Sequence, residues 1–182
     1  MENRDDLTAD YVRQILHYDP ETGVFIWRER DREHFATLNA YRSWNTQHSG
    51  SIAGSVRSDG YCIISTNGRR YLAHRLAWLY MTGSWPNNQI DHRDLDPSNN
   101  RFTNLRDATG SENLRNRGPQ SNNTSGVKGV CWDKQREKWH AKISVNGKDR
   151  FIGYFDQDKL EDAATAYEKA ARERHGDFAR VS

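Results

Sequence analysis

The sequence predicts an α+β protein built from small modules, and three observations predict it. The 182 residues are 35% hydrophobic with a mean hydropathy of −1.03, lean for one large core and suited to modules with much exposed surface. Helical apolar spacing and strict strand alternation both occur, in separate segments. A stretch rich in Gly, Pro, Ser, Asn and Arg, "RNRGPQSNNTSG" at 115–126, reads as a linker with a domain boundary in it.

The elements follow in order. "LTADYVRQILHYDPETG" predicts a helix capped by Thr8, with Leu7, Tyr11, Ile15 and Leu16 on one face, stopped by Asp19–Pro20 and turned by Thr22–Gly23. "VFIWRE" reads as a strand, and residues 29–50, polar with scattered aromatics and no period, as loop. The dipeptides Asp59–Gly60 and Asn67–Gly68 flank the strand "YCIIST"; a second strand begins at Arg70–Leu72 and runs into the helix "AHRLAWLYMT", ended by Gly83. "NQIDH" and "RFTNL" read as a strand and its return across the loop "RDLDPSNN", and "SENLRNR" as a short helix. Beyond the linker, "VKGVCW", "KWHAKISV" and "RFIGYF" are three short strands, the last two joined by a hairpin at Asn146–Gly147. In the second, Trp139, Ala141, Ile143 and Val145 alternate with His140, Lys142 and Ser144, so one face is apolar and the other polar and basic. A final helix, with Asp158 and Glu161 as a capping pair and Gly176 at its end, carries a stripe of Leu160, Ala163, Ala164, Tyr167 and Ala170. This small stripe suits the apolar sheet face and leaves the basic face open.

The net charge of +2 hides a gradient. The window 113–150 holds nine Lys and Arg against three Asp and Glu, pointing to a polyanionic partner over a merely solvated face only when joined to other signals. Cys62 and Cys131 stand far apart and cannot supply a four-ligand zinc site, so no structural zinc is expected. The charged N-terminus does not read as a signal peptide and no apolar run approaches membrane-spanning length, so a soluble cytoplasmic chain is expected.

The densest chemistry lies in "IDHRDLDPSNNRFTNLRDATGSENLRNR", residues 90–117. Asp91 offers a carboxylate oxygen to a hard divalent ion, an asparagine oxygen can serve as a second ligand, and His92 has a pKa range suited to a general base. On a strand the two adjacent side chains face opposite sides, so they share a site only if the chain bends there or the strand edge faces it. Asp94 and Asp96 read as turn formers with Pro97. His74 reads equally as a structural histidine or a DNA contact, and Trp78, Leu79 and Tyr80 read as core.

His74–Arg75–Leu76, Asp91–His92, Asn99–Asn100, Asn104–Leu105 and Glu112–Asn113 follow in an order that closely resembles the HNH nucleases, in particular the phage homing-endonuclease branch. The resemblance implies a ββα-metal core over residues 59–117, with His92 as general base, Asn104 orienting it, and Asp91 and Asn113 holding Mg²⁺ or Mn²⁺. Residues 1–58 resemble, loosely, the leader region of such phage nucleases. Residues 127–180, after a linker at 118–126, are similar to the APETALA-type DNA-binding domain of plant ethylene-response factors, which lays an open sheet face in the major groove. By position Lys128, Trp132, His140, Lys142, Ser144 and Phe151 match its DNA contacts, while Arg115 and Arg117 are expected on phosphate. Together the resemblances imply a site-directed, homing-type endonuclease that hydrolyses phosphodiester bonds in duplex DNA, acting as a monomer on an asymmetric site in the phage-infected cell, by nicking or double-strand cutting. The alternative is a non-catalytic DNA-binding regulator that retains a nuclease fold. Decay would be expected to remove one of Asp91, His92, Asn104 or Asn113, and all four are present.

Overall fold

The computed structural model describes residues 6–116, 118–119, 122–145 and 147–179. Its helices and small sheets make it α+β, and it divides into two compact units between Ala108 and Thr109.

In the first unit, α1 (Ala9–Ile15) starts where Thr8 accepts a hydrogen bond from the Tyr11 amide at 3.2 Å. The chain then enters β1 (Leu16–Tyr18), which pairs antiparallel with β2 (Phe25–Trp27). Sequence reading extends the helix face to Leu16 because a three-residue strand is too short to show a period. The second departure is α2 (Leu38–His48), where a loop was expected; Thr37 caps it by accepting from the Ala40 amide at 3.1 Å. No residue of α2 is buried, so the usual aliphatic stripe is missing. Its contact is aromatic: Trp44 meets Trp27 edge-on at 5.5 Å, and the Arg30 guanidinium lies over both rings at 4.1 and 4.8 Å.

A three-stranded antiparallel sheet follows, β3 (Ser55–Val56), β4 (Cys62–Thr66) and β5 (Arg69–Leu72), in that spatial order. β5 runs directly into α3 (Ala73–Thr82), which ends at Gly83 with φ 80°. β6 (Gln89–His92) and β7 (Leu105–Ala108) form a two-stranded antiparallel sheet with Asp91 opposite Arg106 and His92 opposite Leu105. The return strand begins at Leu105 rather than at Arg101 because Phe102–Asn104 form a 3₁₀ turn. One core joins Val12, Ile15 and Tyr18 to Ile64, Leu76, Ile90 and Leu105. Residues of the expected leader, Val12, Ile15, Tyr18, Phe25 and Ala53 among them, therefore share a core with the strands and helix that follow it.

The second unit opens with α4 (Gly110–Asn116), fastened by a capping box in which the Glu112 amide donates to Thr109 Oγ1 at 3.3 Å and the Thr109 amide donates to Glu112 Oε2 at 2.8 Å. The division between the two compact units falls before α4. β8 (Val130–Asp133), β9 (Lys138–Val145) and β10 (Lys148–Phe155) form an antiparallel sheet with β9 central, and α5 (Leu160–His175) covers one face. Val130, Ala141 and Ile143 pack on Ala163, Tyr167 and Ala171. Glycine is required at 129: with φ 72° it lies so close to β9 that a Cβ would sit 2.5 Å from the Lys142 carbonyl and against the Tyr167 ring. The cap residue of α5 is Lys159, with no side-chain bond there, so the Asp158–Glu161 pair does not cap it as expected. The hairpin residue Asn146 lies outside the described residues; its neighbour Gly147 has the expected positive φ, 74°. Among the described residues no helix is long and apolar enough to cross a membrane.

Candidate functional site

Both residues of the Asp-His pair are buried, Asp91 at 3% and His92 at 5% exposure, so both faces of β6 are covered at this point. Asp91 meets its cross-strand partner: Arg106 donates to Oδ2 through Nε at 2.8 Å and Nη2 at 2.7 Å. His92 faces the loop between the strands. Its Nε2 lies 3.4 Å from Asn100 Oδ1, while Asn100 Nδ2 is committed to the Ser98 carbonyl at 3.1 Å. An amide oxygen only accepts, so this contact favours the tautomer with the ring proton on Nε2.

Asn100 is held from the N-terminal region. Its carbonyl accepts from the Tyr18 hydroxyl at 2.6 Å, and Phe102 N–H donates to the Pro20 carbonyl at 3.0 Å. Gly23 (φ 75°) presses against the same segment, where a Cβ would come within 2.5 Å of the Asn100–Arg101 backbone. Burial raises the Tyr18 phenol above its ordinary range, with Asp19 adding to it, so Tyr18 is a fixed donor.

Asn104, expected to orient the ring, ties the loop together instead. Its amide nitrogen donates to Asp94 Oδ1 at 2.9 Å and the Asn99 carbonyl at 2.8 Å, and its side-chain oxygen accepts from the Asp94 amide at 3.1 Å. Asn99 donates to Asp94 Oδ2 at 2.6 Å. Burial pushes the Asp94 carboxyl up, but the Asp96 amide and the Asn99 and Asn104 side chains more than offset it and hold the group below its usual range. The asparagines thus divide between bracing Asp94 and facing His92.

Next to His92 stands His74, ring centroids 5.0 Å apart and nearly perpendicular, with Tyr61 against both rings. Burial, with His92 and Arg75 adding to it, pushes His74 down to about 3, and its Nδ1 is buried with no hydrogen-bond partner. Burial also lowers His92, opposed by Asn100 and by Asp94, Asp91 and Asp96. Both rings are neutral at neutral pH, as a general base must be.

Asn113 lies on α4, half-buried, its amide bonded to the Thr109 carbonyl at 2.9 Å. Among the described residues no group of three or more His, Cys, Asp or Glu is placed to hold a metal. The Asp91 carboxylate is a hard donor, which fits an ion such as Mg²⁺ that keeps much of its water.

In the second unit, cross-strand register decides which side chains face outward. His140, Lys142 and Ser144 oppose Tyr154, Phe151 and Asp149 on the open face. His140 stacks on Phe151 at 5.5 Å and lies 5.3 Å from Tyr154; Phe151 is 60% exposed. Trp132 requires correction. It pairs with Trp139 and contacts its ring at 5.0 Å, so it shares the sheet face of Trp139 and not that of His140 and Lys142. Lys128 precedes β8, and its ammonium donates to the Arg115 carbonyl at 2.6 Å. Lys128, Lys142 and Ser144 line one open cleft of about 510 Å³. Arg115 sits in the last turn of α4; Arg117 lies outside the described residues. Tyr154 escapes a sequence reading because a bulge between Phe151 and Gly153 shifts the alternation by one residue.

A family model described as HNH endonuclease matches residues 71–115. Over 108 residues, 59% of this chain and 87% of the other, the chain is 39% identical to Protein 3.8 of Escherichia phage T7. The chain belongs to the Protein 3.8 family and carries an HNH endonuclease domain. No solved structure matches it. The HNH match takes in α3, β6 and β7, with Asp91, His92, Asn100, Asn104 and Arg106, and reaches into α4 past Asn113; the sheet of the second unit lies beyond it.

Proposed function

We propose that this HNH protein is a metal-dependent endonuclease that hydrolyses phosphodiester bonds in duplex DNA. The observation that carries the reading is the buried His92, its Nε2 3.4 Å from Asn100 Oδ1, next in sequence to the buried Asp91 inside the HNH match.

His92 takes the proton from the attacking water. Asn100 keeps the ring in one tautomer, and Tyr18 keeps Asn100 in place. Asn104 and Asn99 hold the loop that carries Asn100. Asp91 would hold Mg²⁺ or Mn²⁺. When bound, the ion neutralises charge on the scissile phosphate and the departing oxygen.

Recognition is proposed for the open sheet face of the second unit, by its similarity to the APETALA-type domain. Lys142, His140, Ser144 and Phe151 face outward there, and Arg115 and Lys128 add positive charge, with Arg117 assigned to phosphate from sequence alone. An open sheet face suits a duplex groove, and homing-type site choice is assigned to it. Incubation with supercoiled plasmid and Mg²⁺ tests the proposal: nicked or linear product is expected, and none with excess EDTA. Binding without cutting under all metal conditions would favour the non-catalytic regulator.

A further inference from the structure

Arg106 is charged, 7% exposed and absent from the mechanism above, yet it is bonded to the residue assigned to the metal. Burying a guanidinium and a carboxylate is costly, and such a pair holds only with close geometry. Here the geometry is close, with two nitrogens converging on one oxygen, Oδ2, from the directly opposite position of a two-stranded ladder. Both strands are short, four residues each, so the pair forms a sizeable part of what aligns them.

We infer that Arg106 is a positioning residue for the metal site: it anchors the Asp91 carboxylate by Oδ2, fixing its orientation before the ion arrives, at the cost of weaker metal binding. The inference rests on the reading of Asp91 as a metal ligand. A ligating carboxylate that rotates freely must be ordered as the ion binds, whereas one gripped by a planar fork is already ordered. The guanidinium also sets a positive charge on the group that is to receive a cation, and this lowers the affinity. Orientation and affinity are thus opposed, and substitutions separate them. Arg106→Gln removes both the fork and the charge. Arg106→Lys keeps the charge but replaces the fork with a single point donor.

The test uses the full chain, freed of metal by EDTA and dialysis. Mn²⁺ binding is followed by loss of the free-ion electron paramagnetic resonance signal, folding by circular dichroism, and plasmid nicking at saturating Mn²⁺. For Arg106→Gln the Mn²⁺ midpoint should move to lower concentration while the saturated nicking rate falls about 10–100-fold. For Arg106→Lys the midpoint should stay near wild type while the rate falls. Asp91→Ala is the control. If it binds Mn²⁺ and nicks like wild type, the reading of Asp91 as a ligand fails. If it loses Mn²⁺ while both Arg106 variants match wild type in midpoint and rate, only the role of Arg106 fails. Rates that follow the folded fraction alone, or loss of fold in both Arg106 variants, overturn the inference and leave Arg106 a structural ion pair.

Discussion

Asn100 Oδ1 lies 3.4 Å from His92 Nε2, eight residues back along the chain. The contact selects the histidine tautomer, so Asn100→Ala should lower the nicking rate about 10–100-fold with little change in DNA affinity. Asn100→Asp should keep the acceptor. A rate unchanged in Asn100→Ala under single-turnover conditions would remove Asn100 from the mechanism.

Asn104 should act through stability. Three side-chain hydrogen bonds tie it to Asp94 and Asn99. Asn104→Ala should cost about 1–3 kcal/mol in a denaturant titration and lose activity through disorder of the loop. Full stability with reduced activity would return it to the ring-orienting role expected from sequence.

Gly23 should be intolerant of a side chain although it lies far in sequence from the nuclease motif. Its φ of 75° and its approach to the Asn100–Arg101 backbone leave no room for a Cβ. Gly23→Ala should destabilise the protein by about 1–3 kcal/mol and slow nicking as well. Wild-type values of both would show that the N-terminal region does not hold the site.

The depressed His74 gives a pH signature. Between its unfolded value near 6.5 and about 3 in the folded state, the unfolded chain binds a proton that the native one does not. Stability should therefore fall as pH drops below about 6.5, by up to about 1.4 kcal/mol per pH unit from this group. His74→Phe keeps an aromatic ring and should flatten that fall between pH 7 and 5. An equally steep slope in the variant would assign the acid sensitivity elsewhere.

On the sheet, Lys142→Ala should weaken DNA binding and reduce the slope of log affinity against log salt by about 1, the signature of one phosphate contact. Lys142 now pairs with Asp149 at 2.8 Å, an exposed ion pair that a phosphate can replace. An unchanged slope would place the phosphate contacts elsewhere.

Periodic segments were legible in the sequence. The alternation from Trp139 to Val145 read out the sheet and its covered face, and the small stripe on α5 identified what covers it. Elements without a period were not: α2 buries no residue and is held by aromatic, cationic and hydrogen-bond contacts, and β1 is three residues long. Trp132 was misplaced because its face depends on register with Trp139, which no local pattern encodes. At the site, the motif order located Asp91 and His92, but the link from Asn100 to the base arises when the loop folds back on itself, braced by Tyr18 and Gly23. Arg106 was hidden similarly, since its partner lies fifteen residues away across a ladder.

The most direct measurement is single-turnover nicking of supercoiled DNA by His92→Ala beside wild type, with DNA binding measured on the same preparations. Binding should be nearly intact and cleavage reduced about 10²–10⁴-fold, the usual contribution of a general base. Because burial lowers the His92 pKa, the wild-type rate should hold to pH values below the ordinary imidazole range before falling. Near wild-type cleavage by His92→Ala would contradict the assignment of the base.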